Sequence, residues 1–240
     1  MIEHTVILAG GIGTRLRPVT LEIPKPLVPV QGKAILSWQM RWFARAGVKR
    51  VTIIIPTKWQ EQFEDWRQRI DMPSLEIQFW VETEPMGTLG ALVHEIMLQD
   101  GPIFVTNGDE LKGLDLKVLS AFHAERKTER ALYAATVALI EVSNPSDYGV
   151  AEMREKYIAS FHEKPTHPPS NFVSSGLYVV EPESIKTLKN ENRFLMFEKE
   201  YFPARAEEGR LGGCPLQGPW FDCGTMERWE RAIREWKEPE

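Results

Sequence analysis

The run Thr5-Val6-Ile7-Leu8-Ala9, apolar and followed at once by Gly10, Gly11 and Gly13, constrains this chain more than any other stretch. A short continuous apolar segment closed by glycines reads as a strand buried on both faces. Such strands belong to parallel sheets, where crossover helices cover both sides. No helix opens directly after the glycines, because Pro18, Pro24, Pro26 and Pro29 keep residues 18–31 irregular. The sheet therefore begins with a long loop at the carboxyl end of its first strand, the place where parallel sheets bind ligands.

The following segments keep that rhythm. Apolar positions 35, 36, 40, 43 and 46 share one helical face and Gly47 closes it, which predicts a helix over 35–46. Strands are predicted over 50–55, 75–81 and 102–106, with helices over 58–70, 88–98 and 114–126. Strand alternating with helix across residues 1–126 indicates βαβ units. Beyond that point the pattern turns to strands with short links, over 131–140, 148–153, 157–163 and 172–180, more antiparallel in character. A helix starting near Pro182 and another over 225–236 end the chain. No repeat or flexible linker divides it, so the second half is expected to extend the first half's sheet and close over its edge.

Composition narrows the partners. A formal charge of −5 argues against a nucleic-acid surface, which needs excess Lys and Arg. No run approaches the roughly twenty apolar residues of a membrane span, and Glu3 and His4 interrupt any leader. Cys214 and Cys223 match no zinc or redox spacing and point to a reducing compartment. The expectation is a cytoplasmic protein with neither membrane nor nucleic acid as partner.

Backbone N–H groups of a glycine loop can approach phosphate oxygens, and Arg15 adds a planar, permanently charged fork. A dinucleotide loop would want glycine where Leu16 stands, and a Walker loop would want Gly-Lys-Ser/Thr; neither is present. Lys25, between Pro24 and Pro26, is offered on a stiff, extended segment. Further on, Ile103-Phe104-Val105-Thr106-Asn107 runs into Gly108-Asp109, which brings an acid to the same sheet edge. Glu110 would point the other way if that strand continued. Asp222, between Phe221 and Cys223 and before Gly224, is costly to bury unless paired or metal-bound. Each acid could equally cap a turn or a helix. Glu82-Thr83-Glu84-Pro85-Met86-Gly87-Thr88 could present backbone to a flat base, or be an ordinary strand-to-helix loop with Thr88 as N-cap.

Ala9-Gly10-Gly11-Ile12-Gly13-Thr14-Arg15-Leu16 with Pro24-Lys25-Pro26-Leu27 resembles the opening of the sugar-1-phosphate nucleotidyltransferase family. The stretch from Glu82 resembles the base-recognition loop of its short mannose- and heptose-1-phosphate guanylyltransferases, with Met86 in place of Leu. Gly108-Asp109 and Asp222-Cys223-Gly224-Thr225 resemble its two aspartate motifs. The resemblance implies an α/β, Rossmann-like, three-layer αβα fold with a mixed sheet in one domain, 1–240. Residues 1–126 would form the nucleotide-binding half and 127–240 the sugar-binding half.

It also implies roles. The loop of Leu8, Ala9, Gly10, Gly11, Gly13, Thr14 and Arg15 would wrap the triphosphate, Glu82, Pro85, Gly87 and Thr88 would take the base, and Gly108 would also bind the nucleotide. A carboxylate at Glu82 suits guanine, which offers both N1–H and an exocyclic amine. Asp109 and Asp222 would hold Mg²⁺. Gly149, Glu163, Lys164, Asn171, Ser175 and Gly176 would take the sugar 1-phosphate. The catalytic set would be Arg15, Lys25, Asp109, Lys164 and Asp222, acting by in-line attack on the α-phosphate and releasing pyrophosphate. A uridylyl- or thymidylyltransferase of the same family and a non-catalytic nucleotide-sugar-binding regulatory subunit are the alternatives. The short length resembles that of cell-envelope enzymes, and a homo-oligomer is compatible with it.

Overall fold

The protein is described here by a computed structural model covering residues 1–96, 101–186, 188 and 194–239. Its first half runs β1 (His4–Leu8), the hairpin β2 (Pro29–Val30) and β3 (Lys33–Ala34), α1 (Ile35–Arg45), β4 (Arg50–Pro56), α2 (Gln60–Arg69), β5 (Glu76–Glu82), α3 (Gly87–Ile96) and β6 (Ile103–Asn107). Next come β7 (Glu110–Lys112), α4 (Leu116–Glu129), β8 (Ala135–Glu141), β9 (Gly149–Arg154), β10 (Tyr157–Glu163) and β11 (Phe172–Val180). α5 (Glu183–Lys186), a π-helical turn (Phe197–Tyr201) leading into α6 (Phe202–Glu207), β12 (Leu211–Pro215), β13 (Trp220–Asp222) and α7 (Met226–Glu235) complete it.

Among the described residues, nine strands form one sheet in the order β5-β4-β1-β6-β11-β8-β12-β10-β9. The β5-β4-β1-β6 part is parallel, as the buried apolar runs require. β11 then enters antiparallel between β6 and β8, so the second half extends the sheet rather than forming a body of its own. Side chains alternate across it. Val6 and Val105 face the layer built by α3, the π-helical turn and α6. Ile7 and Phe104 face the layer built by α1, α2 and α4. Both layers are built of buried apolar side chains, and the fold is the expected αβα sandwich.

Several elements differ from expectation. The helix expected to start near Pro182 is α5, and residues 187 and 189–193 after it lie outside the described residues. The predicted helix over 88–98 starts at Gly87, and its positions 97–98 lie outside the described residues. β12 and the two-stranded ribbon β7–β13 had no counterpart in the sequence reading. β12 is Leu-Gly-Gly-Cys-Pro, a composition that reads as a loop; it pairs because Gly212 and Gly213 let Tyr133 and Met153 pack directly on its backbone.

The topology fixes where a ligand can sit. From β1 the chain winds one way to β4 and β5, and β6 lies on the other side of β1. The loops leaving β1 and β6 therefore diverge and leave a crevice at a topological switch point.

Candidate active site

A cleft of about 550 Å³ opens over that crevice. The loop after β1 forms one wall. Thr20 donates its hydroxyl to the Gly13 carbonyl at 2.7 Å, and Leu16 N–H bonds the same oxygen, which folds residues 13–16 into a tight turn. The turn carries Arg15 exposed at the cleft while Leu16 anchors in the core. Lys25 opens a second turn, Lys25–Leu27, and only 9% of its side chain is exposed. Its ammonium forms an ion pair with Asp109. Burial alone would depress the Lys25 ammonium, but the Asp109 carboxylate outweighs that and raises it. Burial likewise works against an ionised Asp109, yet Lys25, with Lys112 behind it, holds the carboxyl below its usual range.

Asp222 reaches the same place from the other end of the chain. β13 pairs antiparallel with β7, setting Asp222 opposite Glu110, and the next N–H, of Cys223, donates to the Asp109 carbonyl at 3.4 Å. One carboxylate oxygen of Asp222 accepts Gly224 N–H at 2.7 Å. The other accepts Tyr148 O–H at 3.0 Å and an Arg228 N–H at 2.7 Å. Two acids 113 positions apart in the sequence thus share one cleft wall. Mg²⁺ is commonly held by one or two carboxylates with substrate phosphates completing its shell. Asp109 and Asp222, each already drawing a cation, fit that donor set. Among the described residues no cluster of three His, Cys, Asp or Glu side chains could hold a metal on its own.

At the end of β5 lies Glu82, 8% exposed, with Oε1 accepting Met86 N–H at 2.7 Å and the other oxygen near Gly10. Burial raises its carboxyl although the Met86 N–H opposes the shift. Pro85, Gly87 and Thr88 line the cleft beside it. Thr88 does not cap its own helix: its hydroxyl accepts Phe197 N–H and donates to Glu198. Leu195 supplies the cap instead, its carbonyl accepting the N–H groups of Leu89 and Gly90.

Tyr148, Gly149, Glu163 and Lys164 line the cleft as well, with Lys164 3.2 Å from the Glu163 carboxylate. Gly176, at φ +62°, turns β11 so that its backbone approaches Asn107 and Glu110, where any side chain would collide with both.

Leu8, Ala9, Gly10 and Gly11 also line the cleft. The remaining predicted site residues stand outside it. Gly13 and Thr14 support the turn that carries Arg15. Gly108 donates its N–H to Leu8 O, joining β6 to β1 behind the cleft. Asn171 is exposed at the start of β11, and the buried Ser175 hydroxyl donates to Ala138 O inside the sheet. Neighbouring Ser174 lines the cleft in its place, because alternation along β11 turns Ser175 away.

Glu110 also reaches the cleft, contrary to the alternation argument. The strand ends at Asn107, and Glu110 begins a new one. Its carboxylate meets Asn107, Lys112 and Trp220 N–H, and burial pushes it up. Glu198 and Arg228 were missed as well. Each sits on a charge-rich helical segment that reads as a solvated face. The segment around Glu198 gives no motif to find it by, and the nearness of Arg228 to Asp222 is the one cue for that residue.

The nucleotidyl transferase family model matches residues 4–238. The chain is 36% identical over 224 residues to the mannose-1-phosphate guanylyltransferase catalytic subunit beta of Xenopus tropicalis, covering 91% of this chain and 60% of that protein. It is 35% identical over 225 residues to the mannose-1-phosphate guanyltransferase of Schizosaccharomyces pombe, with the same 91% and 60%. The chain thus spans about 60% of the length of the curated relatives it matches. A Bacillus anthracis structure assigned as a glucose-1-phosphate thymidylyltransferase superposes with a TM-score of 0.82 at 24% identity, covering 96% of this chain and 94% of that one. HddC from Yersinia pseudotuberculosis superposes at 0.78 with 25% identity, covering 97% and 99%.

Proposed function

Since the chain belongs to the nucleotidyl transferase family, we propose that it moves a nucleoside monophosphate from a nucleoside triphosphate, GTP by preference, onto a sugar 1-phosphate, releasing pyrophosphate. The observation that carries this reading is the convergence of Arg15, Lys25, Asp109, Glu163, Lys164 and Asp222 on one cleft.

A sugar phosphate is already an anionic nucleophile, so no residue needs to remove its proton. The chemical difficulty is bringing two anions together and stabilising the charge that leaves with pyrophosphate, a task for positioning and electrostatics. Arg15, exposed on its turn, holds the departing pyrophosphate. Lys25 and Lys164, both lining the cleft, offset the repulsion between the reacting phosphates. Glu163 and the backbone at Gly149 hold sugar hydroxyls. Mg²⁺, held by Asp109 and Asp222, supplies Lewis-acid stabilisation of phosphate charge when bound.

The preference for GTP rests on Glu82. Its side chain lines the cleft with one oxygen taken by Met86 N–H, and the relatives at 36% and 35% identity are guanylyltransferases by name. A pyrophosphate-release matrix of four triphosphates against a panel of sugar 1-phosphates tests the reading. Release is expected with GTP and a mannose- or heptose-type 1-phosphate; silence across every pair would remove the catalytic assignment.

A further inference from the structure

Arg228 stands on the first turn of α7, with its backbone N–H bonded to the Thr225 hydroxyl. Its side chain is 20% exposed. One arm donates to Asp222 Oδ2 at 2.7 Å and the other to Asp147 Oδ2. The guanidinium carbon lies 5.0 Å from the centroid of the Tyr148 ring, a cation–π arrangement. Tyr148 in turn donates its hydroxyl to the same Asp222 oxygen. A residue from the last helix therefore ties the turn under Gly149 to the second aspartate of the cleft.

These contacts divide into two kinds. Gly224 N–H and Tyr148 O–H are neutral donors, one on each oxygen of Asp222, and they already fix the direction of the carboxylate. Arg228 adds charge to a group that is otherwise aimed. A divalent cation arriving at Asp222 meets a guanidinium on the oxygen that faces Tyr148. It must displace that cation or share the oxygen with it at a repulsive distance. The charge removed from Asp222 would not leave the site, because Asp147 and the Tyr148 ring still hold Arg228 beside the cleft.

We propose that Arg228 is the resident counter-ion of Asp222, a placeholder that divalent cation must displace and that sets the affinity of the site for metal. This rests on the metal reading of Asp109 and Asp222. It also explains why the chain places an arginine inside a wall meant for a cation. Arg228 keeps a partly buried carboxylate neutralised between turnovers, and ion entry frees it from Asp222 while Asp147 and the Tyr148 ring retain it. Arg228 is a positioning residue here, acting through Asp222.

The test is direct titration of the full chain with Mn²⁺, read by electron paramagnetic resonance, with no nucleotide or sugar phosphate present. Removing one positive charge at such a distance is expected to tighten Mn²⁺ binding by about three- to tenfold in Arg228→Met. Arg228→Lys, which keeps the charge, stays near the native affinity. Asp222→Asn loses most of the binding. Equal or weaker Mn²⁺ binding by Arg228→Met overturns the placeholder role while leaving the metal site standing, provided Asp222→Asn is impaired. If Asp222→Asn binds Mn²⁺ as well as the native chain, the metal reading falls and the placeholder falls with it. Circular dichroism checks the fold, and Arg228→Gln serves as the neutral variant if Arg228→Met does not fold.

Discussion

Glu82 is buried, which favours its neutral form, yet the proposed role of accepting hydrogen bonds from guanine needs the carboxylate. Its pKa is raised, so the ionised acceptor disappears as pH falls through a value above the ordinary glutamate range. The expected signature is a KM for GTP that climbs on the acid side while the fold holds, since a raised carboxyl favours the folded chain as it protonates. Asp109 is shifted the other way and stays ionised across the same window. Glu82→Gln should flatten that acid limb and raise KM for GTP by roughly ten- to a hundredfold, the value of a charged hydrogen bond. An unchanged pH profile in this variant would move base recognition elsewhere. Arg15, Lys25 and Asp109 were legible in the sequence because glycine and proline flank them and mark a loop built to present them. Arg228 and Glu198 were not, because on a helix a charge that turns inward has the same spelling as one facing water.

At the level of elements, buried strands announced themselves and ribbons did not. β1, β4 and β6 are continuous apolar runs, whereas β7 and β13 have three residues each and exist only through pairing with one another. That pairing brings Asp222 to Asp109, and no local pattern could show it. The start of α3 is a second case. Its orphan N–H groups are met by Leu195 O, from a segment more than one hundred residues away, so Thr88 is free to bond Glu198. Gly87 sits at φ +79° directly under that carbonyl, where a side chain would strike the Leu195 backbone. Gly87→Ala is therefore expected to lose about 1–3 kcal/mol by strain and overpacking. Its KM for the triphosphate should rise while KM for the sugar phosphate changes little. Denaturation midpoints and the two KM values check this; equal shifts in both would mean general loosening.

Across the whole molecule, the site belongs to neither half alone. The parallel half supplies Arg15, Lys25, Glu82 and Asp109, and the antiparallel extension supplies Glu163, Lys164 and Asp222. β11 covers the edge of β6, and one apolar layer runs through both halves. Residues 1–126 expressed alone should show no cooperative unfolding transition, because β6 would become a bare apolar edge. A sharp transition from that fragment would make the halves separate domains. The proposed chemistry hangs on Asp109 and Asp222 serving one ion, and pyrophosphate release by Asp109→Asn, Asp222→Asn and the double variant measures that most directly. Each single change is expected to lower turnover by about a thousandfold or more, with the double scarcely worse than either, as groups acting as a unit behave. Near-native release from either single variant, or losses that multiply in the double, would contradict the account.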